Sequence, residues 1–425
     1  MLRHRVLAAV GFGLLAIAGC SSPTRHVADS QTPSAARTIG SKPGSGALLA
    51  LDSNTGRQLW RAPLPMASVS KPVVSGGLVL VAGTDDCDIH RVTVAAVRAE
   101  SGQLAWQSSV AVPEPCTFAS LLSLAGGVVV VGGPTTVMPD PRIASCDRTT
   151  PGPPAVALDV ATGKQRWQAP VTTSVVLAAT STSVIMSGPT PDCVVGLDAK
   201  SGLARWTVKS KAQSVLAWST SDTAYLERFV LNKGVLFGAI DPATGHTGWT
   251  VQMPATGRTF PPALGDAITI ANSLDTTQYP TLTPGSPKPT PQDSTTVTLT
   301  SLDPSSGHEL WHDSSQQDQS DSVTAAGDTL LVTRLQGERF VLELRDARTG
   351  ARRWQSPVSN GFAASDNVTD GTVVVAMWNQ TVAGLSAADG RQLWAVHGTL
   401  GPAAIAGTSI YLAANGQVKH PPSGD

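Results

Sequence analysis

A glycine followed four residues later by a tryptophan occurs eight times in this chain, and no other feature constrains the fold as strongly. The pairs are Gly56 and Trp60, Gly102 and Trp106, Gly163 and Trp167, Gly202 and Trp206, Gly245 and Trp249, Gly307 and Trp311, Gly350 and Trp354, and Gly390 and Trp394. Successive tryptophans of the repeat lie 39 to 62 residues apart. A recurrence of about 40–50 residues is typical of propellers and solenoids, in which one supersecondary unit is repeated.

One repeat contains four candidate strands, A to D. In the first complete repeat they are predicted at residues 72–74, 78–83, 91–97 and 103–110. Strand B is an almost continuous apolar run, which is typical of a strand buried on both faces. The glycine lies in the turn between strands C and D, and the tryptophan lies on strand D. Six repeats have an aspartate four residues before the glycine: Asp52, Asp159, Asp198, Asp241, Asp303 and Asp346.

The repeated residues are interpreted as structural. Glycine adopts a positive φ angle at little cost, and tryptophan offers a large apolar plate to a neighbouring sheet. A functional site is seldom repeated eight times, whereas a packing arrangement must recur in every unit.

The two ends of the repeat region complement each other. Residues 403–406 and 409–414 form a last A and B strand, and residues 47–51 and 57–62 form a C and D strand without an A and B. Joining them completes an eighth blade and leaves no open edge in the ring. The sequence therefore predicts an all-β protein: an eight-bladed propeller of four-stranded antiparallel blades over residues 47–415, followed by a C-terminal tail at 416–425.

The repeat resembles a known family in segments such as LALDSNTGRQLW and SLDPSSGHELW. They are similar to the β-propeller superfamily named after pyrroloquinoline quinone (PQQ). The resemblance implies the propeller fold but leaves the activity open, because a fold does not determine a function. The superfamily includes quinoprotein dehydrogenases, the propeller lipoprotein of the outer-membrane β-barrel assembly machine, and envelope proteins that hold no cofactor.

The first residues have the pattern of an export signal. A basic start is followed by an apolar core at residues 6–18, and Ile17, Ala18, Gly19 and Cys20 match a lipobox. This match resembles bacterial lipoproteins and predicts a signal peptide at residues 1–19 and acylation (palmitate) of Cys20; an ordinary cleavable signal is the alternative. Residues 20–46 would form a flexible tether. The protein would lie in the cell envelope, anchored on the outer side of the cytoplasmic membrane, or in an outer membrane where one exists.

The charge balance argues against nucleic acid as a partner. Without Arg3 and Arg5 the chain has 28 basic and 31 acidic side chains, a net charge of about −3, and no basic stripe. A monomer is expected.

Four cysteines remain after Cys20: Cys87, Cys116, Cys146 and Cys193. An even number in an exported chain predicts two disulfides with three possible connectivities. The predicted blades place all four on the face that carries the B–C and D–A loops. Bonds from Cys87 to Cys116 and from Cys146 to Cys193 are the preferred pairing.

The same face carries the long insertions, at residues 132–154 and 273–295, and is the candidate binding surface. The alternative is that these insertions have no function and accumulated on a surface that tolerates them. Within it, Asp85, Asp86, Asp88 and His90 concentrate charge in one B–C loop. Oxygen-rich loops can hold calcium, but a solvated loop pinned by a disulfide is preferred, so no metal site is predicted.

One motif suggests chemistry that its context excludes. His308 to His312 fits H-E-x-x-H, a zinc-protease pattern that requires both histidines on one face of a helix. On strand D the two histidines would lie roughly 13 Å apart and could not share a zinc ion.

These observations favour a non-catalytic lipoprotein without a cofactor, whose propeller binds an envelope protein or a cell-wall component. A PQQ-dependent quinoprotein oxidoreductase is the first alternative. The resemblance implies for that class a vicinal disulfide and a calcium held by Glu, Asn and Asp, and the sequence has no Cys-Cys pair. An accessory propeller in outer-membrane protein assembly is the second alternative.

Overall fold

The chain divides into two compact units, Met1–Ser41 and Lys42–Asp425. The computed structural model describes residues of the second unit: 46–66, 69–83, 91–111, 122–131, 155–169, 176–188, 193–209, 212, 214–230, 234–253, 262–275, 295–317, 322–336, 339–357, 367–378, 381–398 and 400–415. Within these ranges no helix is long and apolar enough to cross a membrane. The predicted signal peptide, the tether before residue 46 and the C-terminal tail lie outside the described residues.

The described secondary structure forms eight four-stranded antiparallel sheets, which confirms the predicted eight-bladed propeller. Blade 1 is β3 (Val73–Ser75), β4 (Leu78–Gly83), β5 (Arg91–Arg98) and β6 (Leu104–Ala111). Blade 2 is β7 (Leu122–Ala125), β8 (Val128–Val131), β9 (Val156–Asp159) and β10 (Gln165–Gln168). Blade 3 is β11 (Val176–Ala179), β12 (Ser183–Ser187), β13 (Cys193–Asp198) and β14 (Ala204–Lys209). Blade 4 is β15 (Ser214–Ser219), β16 (Ala224–Val230), β17 (Gly234–Ile240) and β18 (Thr247–Met253).

The second half of the ring repeats the same order of strands A to D. Blade 5 is β19 (Ala263–Leu264), β20 (Ile268–Asp275), β21 (Thr295–Leu302) and β22 (Glu309–Gln317). Blade 6 is β23 (Ser322–Ala326), β24 (Thr329–Gln336), β25 (Arg339–Asp346) and β26 (Arg352–Pro357). Blade 7 is β27 (Val368–Thr369), β28 (Val373–Trp378), β29 (Thr381–Ser386) and β30 (Gln392–His397). Blade 8 takes β31 (Leu400–Ala406) and β32 (Ser409–Asn415) from the end of the chain and β1 (Gly46–Asp52) and β2 (Gln58–Pro63) from its start.

Blade 8 closes the ring as the sequence predicts. Its strand order is β2-β1-β32-β31, so the N-terminal β1 lies between β2 and the C-terminal β32. The register joins Gly46 to Asn415 and Asp52 to Ser409. The innermost strand β31 contacts the innermost strands of blades 7 and 1. Backbone hydrogen bonds thus replace the covalent link that a circular chain would have.

The apolar core is divided among the junctions between blades. Every residue of β4 is buried, since strand B has a blade on each side, whereas β6 at the outer edge is largely exposed. Among the described residues, eight clusters of buried apolar side chains occur, one at each junction. Leu80 and Val129, for example, pack together between blades 1 and 2. Each blade is therefore held by its two neighbours.

The insertion in blade 5 is shorter than predicted. Strand β20 continues through Asp275 and β21 begins at Thr295, so both ends of the predicted insertion at 273–295 belong to strands. The ladder between these strands runs from Ile268 and Leu302 to Asp275 and Thr295. Cross-strand pairing with Thr295 extends β20 to Asp275, although aspartate is depleted in strands.

Candidate functional site

Each repeat tryptophan is inserted into the C–D turn of the next blade. Its indole lies over the repeat glycine of that turn. Its Nε1–H donates a hydrogen bond of 2.7–3.0 Å to the backbone carbonyl three residues before that glycine. The donors and acceptors are Trp60 and Ala99, Trp106 and Val160, Trp167 and Ala199, Trp206 and Pro242, Trp249 and Pro304, Trp311 and Ala347, Trp354 and Ala387, and Trp394 and Ser53. All eight tryptophans therefore act in packing between blades.

The glycine of each turn is required for two reasons, which Gly202 illustrates. Its φ is +69°, a left-handed conformation that L side chains rarely adopt. A Cβ at this position would also lie 2.6 Å from the Trp167 ring. The glycine therefore permits both the turn and the close approach of the indole.

The turn aspartates hold their own loops by hydrogen bonds. Asp198 Oδ1 accepts from the backbone N–H groups of Lys200 and Ser201 at 3.0 and 2.7 Å, and from the Ser201 hydroxyl at 2.8 Å. The Ser201 hydroxyl, together with these N–H groups, lowers the pKa of Asp198. In the corresponding turn of blade 5, hydrogen bonds led by the Ser305 hydroxyl lower the pKa of Asp303 to about 2. The six turn aspartates are ionised at neutral pH because the pKa of each is lowered, and the turns of blades 1 and 7 have Arg98 and Ser386 at that position.

Arginines neutralise most of these charges. The residue before the repeat tryptophan is arginine in blades 2, 3 and 6, and each of the three bonds the turn aspartate of its own blade: Arg166 with Asp159, Arg205 with Asp198, and Arg353 with Asp346. Blade 5 has Leu310 at that position, and its Asp303 is reached instead by Arg348 from the turn of blade 6, at 3.3 Å. Two different positions can thus supply a guanidinium to a turn aspartate.

A groove of about 460 Å³ opens beside the turn aspartate of blade 4. It lies on the turn face of the ring, the side that carries the A–B and C–D turns. Asp222 of the A–B turn, and Asp241 and His246 of the C–D turn, line it together with Gly248, Trp249 and Ser305. Its size falls within the range of small-ligand sites, about 300–1,000 Å³. This groove was not predicted from the sequence. The signal that could have indicated it is Gly248, which occupies the position where three other repeats have arginine.

A second feature that the sequence analysis did not predict is a buried ion network between blades 5 and 6. Glu343 on β25 bonds Arg345 at 2.6 Å and lies 3.9 Å from Arg334 on β24. Asp313 on β22 of blade 5 reaches the same two arginines at 2.8 and 3.2 Å. The side chain of Glu343 is only 2% exposed. The single glutamate within the apolar segment FVLEL was the signal of this network in the sequence.

The predicted binding surface falls largely outside the described residues. This holds for Asp85, Asp86, Asp88, His90, Cys87, Cys116 and Cys146, and the predicted lipid-attachment residue Cys20 also lies outside the described residues. Cys193, at the start of β13, is buried and disulfide-bonded. The pairing of Cys193 with Cys146 remains a prediction. No group of three or more His, Cys, Asp or Glu side chains suited to a metal ion occurs in the part of the chain that the structure describes.

Of the two histidines that were predicted on strand D, only His312 lies on the strand, and His308 lies in the turn before it. His308 follows the repeat glycine, and His312 lies on β22 with its Nδ1 2.7 Å from Glu309 Oε1. Both side chains of this pair are more than half exposed. The geometry is that of a surface hydrogen bond on an edge strand.

Two buried polar side chains of the described residues, Glu343 and Asn367, are not free to bind the calcium ion of a PQQ site. Such a site needs a carboxylate and an amide that are free to bind the ion. Buried Glu343 is committed to Arg345, and the side-chain amide of buried Asn367 donates to Thr333 and accepts from the Met377 backbone N–H.

Eight blades locked by tryptophan and glycine in this way define a β-propeller of the PQQ-like repeat superfamily. A family model described as outer membrane protein assembly factor BamB matches residues 21–175, 91–267 and 295–421. These matches span most of the chain, and the chain belongs to that family.

Similarity to individual proteins is more limited. Outer membrane protein assembly factor BamB of Nitrosomonas eutropha is 31% identical over 107 residues, and the match spans only a quarter of each chain. BamB of Moraxella catarrhalis has a TM-score of 0.43 and 13% identity, with 84% of this chain and 88% of that chain covered. The quinohemoprotein alcohol dehydrogenase of Comamonas testosteroni has a TM-score of 0.48 and 13% identity, with 91% and 79% covered. Likeness at this level carries no information on activity.

Proposed function

We propose that this chain is a non-catalytic accessory propeller of the bacterial cell envelope, which binds a protein that takes part in outer-membrane protein assembly. The observation that carries the proposal is the family match, which extends over most of the propeller. The family is described by a role in assembly. Among the candidates considered from the sequence, this match favours the accessory role over an oxidoreductase and over binding of a cell-wall component.

The architecture suits a binding module. Each blade is fixed to the next by an indole hydrogen bond and a buried apolar cluster, so the ring is a rigid frame for its loops. A partner that meets a preorganised surface does not have to compensate for ordering it. The disulfide at Cys193 would add to this preorganisation on the loop face, where the B–C loops of blades 1 to 3 are proposed to contact the partner.

The proposed location follows from the N-terminal pattern. Acylation of Cys20 after removal of residues 1–19 would anchor the protein to a membrane through residues 20–46. The propeller would then act beside the membrane, in the compartment where exported barrel proteins are folded and inserted.

Site-directed photo-cross-linking in cells tests the proposed role. A photoreactive amino acid is placed at Asp85 or Asp88 on the loop face, and at Leu104 on the exposed edge of blade 1 as the matched control. We expect the loop-face positions to yield one dominant adduct that contains a barrel-assembly protein, and Leu104 to yield none. Adducts with peptidoglycan or with no specific protein would refute the assembly role.

An absorption spectrum distinguishes the oxidoreductase alternative. Mature protein with Cys20→Ala is purified and mixed with PQQ and calcium, and dye reduction is measured with alcohols and aldose sugars. We expect no bound chromophore after gel filtration and no dye reduction. Stoichiometric quinone binding with turnover would overturn the non-catalytic assignment.

A further inference from the structure

In blade 6 an arginine bridges the two turns on the turn face of the blade. Arg353, the residue before the repeat tryptophan, places its Nη2 atom 2.6 Å from Asp328 of the A–B turn and 3.2 Å from Asp346 of the C–D turn. The hydrogen bond to Asp328 is the main reason that the pKa of Arg353 is raised. One guanidinium thus bridges the carboxylates of two turns of its own blade.

Blade 4 has the same two carboxylates without the arginine. Asp222 of the A–B turn and Asp241 of the C–D turn both line the groove, and Gly248 stands at the position of Arg353. No described arginine of the next blade reaches Asp241 either. Arg348 in the turn of blade 6 bonds Asp303 of blade 5, but the corresponding position in the turn of blade 5 is Ser305. No arginine bonds Asp241 among the described residues; its carboxylate is held by Thr244 Oγ1 and the Ala243 N–H, both at 2.8 Å.

The groove has the shape and the charge that an arginine side chain would fill. A Cβ added to Gly248 would have only the Ala239 carbonyl oxygen within 4 Å, at 3.8 Å, so the place of the missing side chain is open. Trp249 and Pro304 form an apolar wall, and the indole of Trp249 is fixed by its 3.0 Å bond to the Pro304 carbonyl. The methylenes of an arginine can lie along such a wall while its guanidinium donors meet carboxylates at the rim.

We propose that this groove binds the guanidinium group of an arginine side chain presented by a partner protein, in the place that Arg353 occupies in blade 6. The proposal rests on the proposed function, for which it supplies a contact on the turn face. Arginine is favoured over lysine because its planar fork can meet two carboxylates at once, whereas an ammonium group is a strongly hydrated point charge.

The test uses the folded mature propeller and a capped peptide, acetyl-Gly-Arg-Gly-amide, followed by NMR chemical shifts of the tryptophan indole N–H groups. We expect saturable shifts at Trp249 and none at Trp354, because Arg353 already bonds both turn carboxylates of blade 6. The lysine peptide should bind about tenfold more weakly, and the neutral citrulline peptide should give no shift. Equal shifts with all three peptides, or none with the arginine peptide, would refute the proposal.

Two substitutions test the site in opposite ways, one by filling it and the other by creating an equivalent site in blade 6. Gly248→Arg rebuilds the internal bridge and should abolish the shifts at Trp249 with no loss of thermal stability, whereas Gly248→Ala should leave binding intact. Arg353→Gly empties the equivalent place in blade 6 and should create new peptide shifts at Trp354. Undiminished binding to Gly248→Arg, or no new site in Arg353→Gly, would show that the carboxylate pair is not what recognises arginine.

The peptide result is independent of the assembly role. Arginine binding without a cross-linked assembly protein would refute the proposed function and leave the groove intact. A cross-linked assembly protein without arginine binding would refute only the groove.

Discussion

The indole Nε1–H of Trp394 donates to the backbone carbonyl of Ser53 at 2.7 Å, across 341 residues of sequence. The same ring lies over Gly56, where a Cβ would come within 2.6 Å of it. This junction between blades 7 and 8 has the geometry of the other seven, although its two residues come from opposite ends of the chain. The ring is therefore closed by a side chain as well as by the β1–β32 ladder.

Trp394→Phe tests the contribution of this hydrogen bond to stability. Phenylalanine keeps an aromatic plate but cannot donate, and the Ser53 carbonyl loses its partner. We expect the free energy of unfolding to fall by about 1–3 kcal/mol, measured by urea denaturation. Trp206→Phe, at an internal junction, should lose a similar amount. A much smaller loss for Trp394→Phe alone would mean that the closing junction is already loose.

Deletion of residues 47–62 tests the closure by the ladder. Blade 8 would keep only β31 and β32, and the edge of β32 would be exposed. We expect aggregation or loss of a single cooperative transition in differential scanning calorimetry. A truncated protein that melts like the intact one would contradict closure by β1 and β2.

The positive φ and the close approach of the indole can be separated with two glycines. Gly202 has φ +69°, and a Cβ added to it would lie 2.6 Å from the Trp167 ring. Gly77 has φ +75°, and a Cβ added to it would have no heavy atom within 4 Å. Gly77→Ala should cost about 1–2 kcal/mol from backbone strain alone. Gly202→Ala should cost about 1–3 kcal/mol more, because the indole must move. Equal losses in chemical denaturation would show that steric contact contributes nothing.

The fold could be read from the sequence because its determinants recur. Predicted strand B of blade 1 agrees with β4 at both ends, and the predicted closing strands agree with β1 and β32 within one residue. Each repeat has a glycine that allows the C–D turn and a tryptophan that packs against the next blade. Patterns of that kind are visible without knowing which blades touch.

The turn-face groove and the ion network could not be read in the same way. Gly248 is informative only as a departure from Arg166, Arg205 and Arg353, and only once their contacts with turn aspartates are known. Glu343 and Arg345 look like ordinary alternating charges on an exposed strand face. Their burial depends on Asp313 of the preceding blade, which lies 30 residues earlier in the chain. Non-local pairing of this kind leaves no periodic signal.

Stability should fall in acid because of the turn aspartates. The pKa of all six is lower in the folded protein than the ordinary value of 3.8, and that of Asp303 is about 2. Protonation therefore favours the unfolded chain. Their contribution is complete above about pH 4 and is lost as the pH falls toward 2. We expect the melting temperature to be flat from pH 5 to 7 and to drop below pH 4, and Asp303→Asn to reduce that drop. A drop that begins above pH 5 would point to other groups.

Glu343→Gln should be strongly destabilising. The substitution keeps the shape of the side chain but removes the negative charge that Arg345 bonds at 2.6 Å, and both Arg345 and Glu343 are nearly buried. Breaking a buried pair in this way costs about 3–5 kcal/mol. The same change at Glu309, whose pair with His312 is exposed, should cost less than about 1 kcal/mol in the same urea titration. Equal effects would show that the network is not desolvated.

The predicted lipid anchor can be tested by fractionation. Wild-type protein with two acyl chains should stay with membranes through a high-salt wash and partition into detergent. Cys20→Ala should be soluble or remain an uncleaved precursor. Release of the wild type by salt alone would contradict acylation.

The position of β1 between β2 and β32 also has a mechanical consequence. The described chain enters the ring at Gly46, on an inner strand of a sheet, with hydrogen-bonded neighbours on both sides. A pull applied at Gly46 must break two ladders together, whereas a terminal edge strand could be peeled along one. Blade 8 is therefore built to carry a load at the place where the ring is made from two ends.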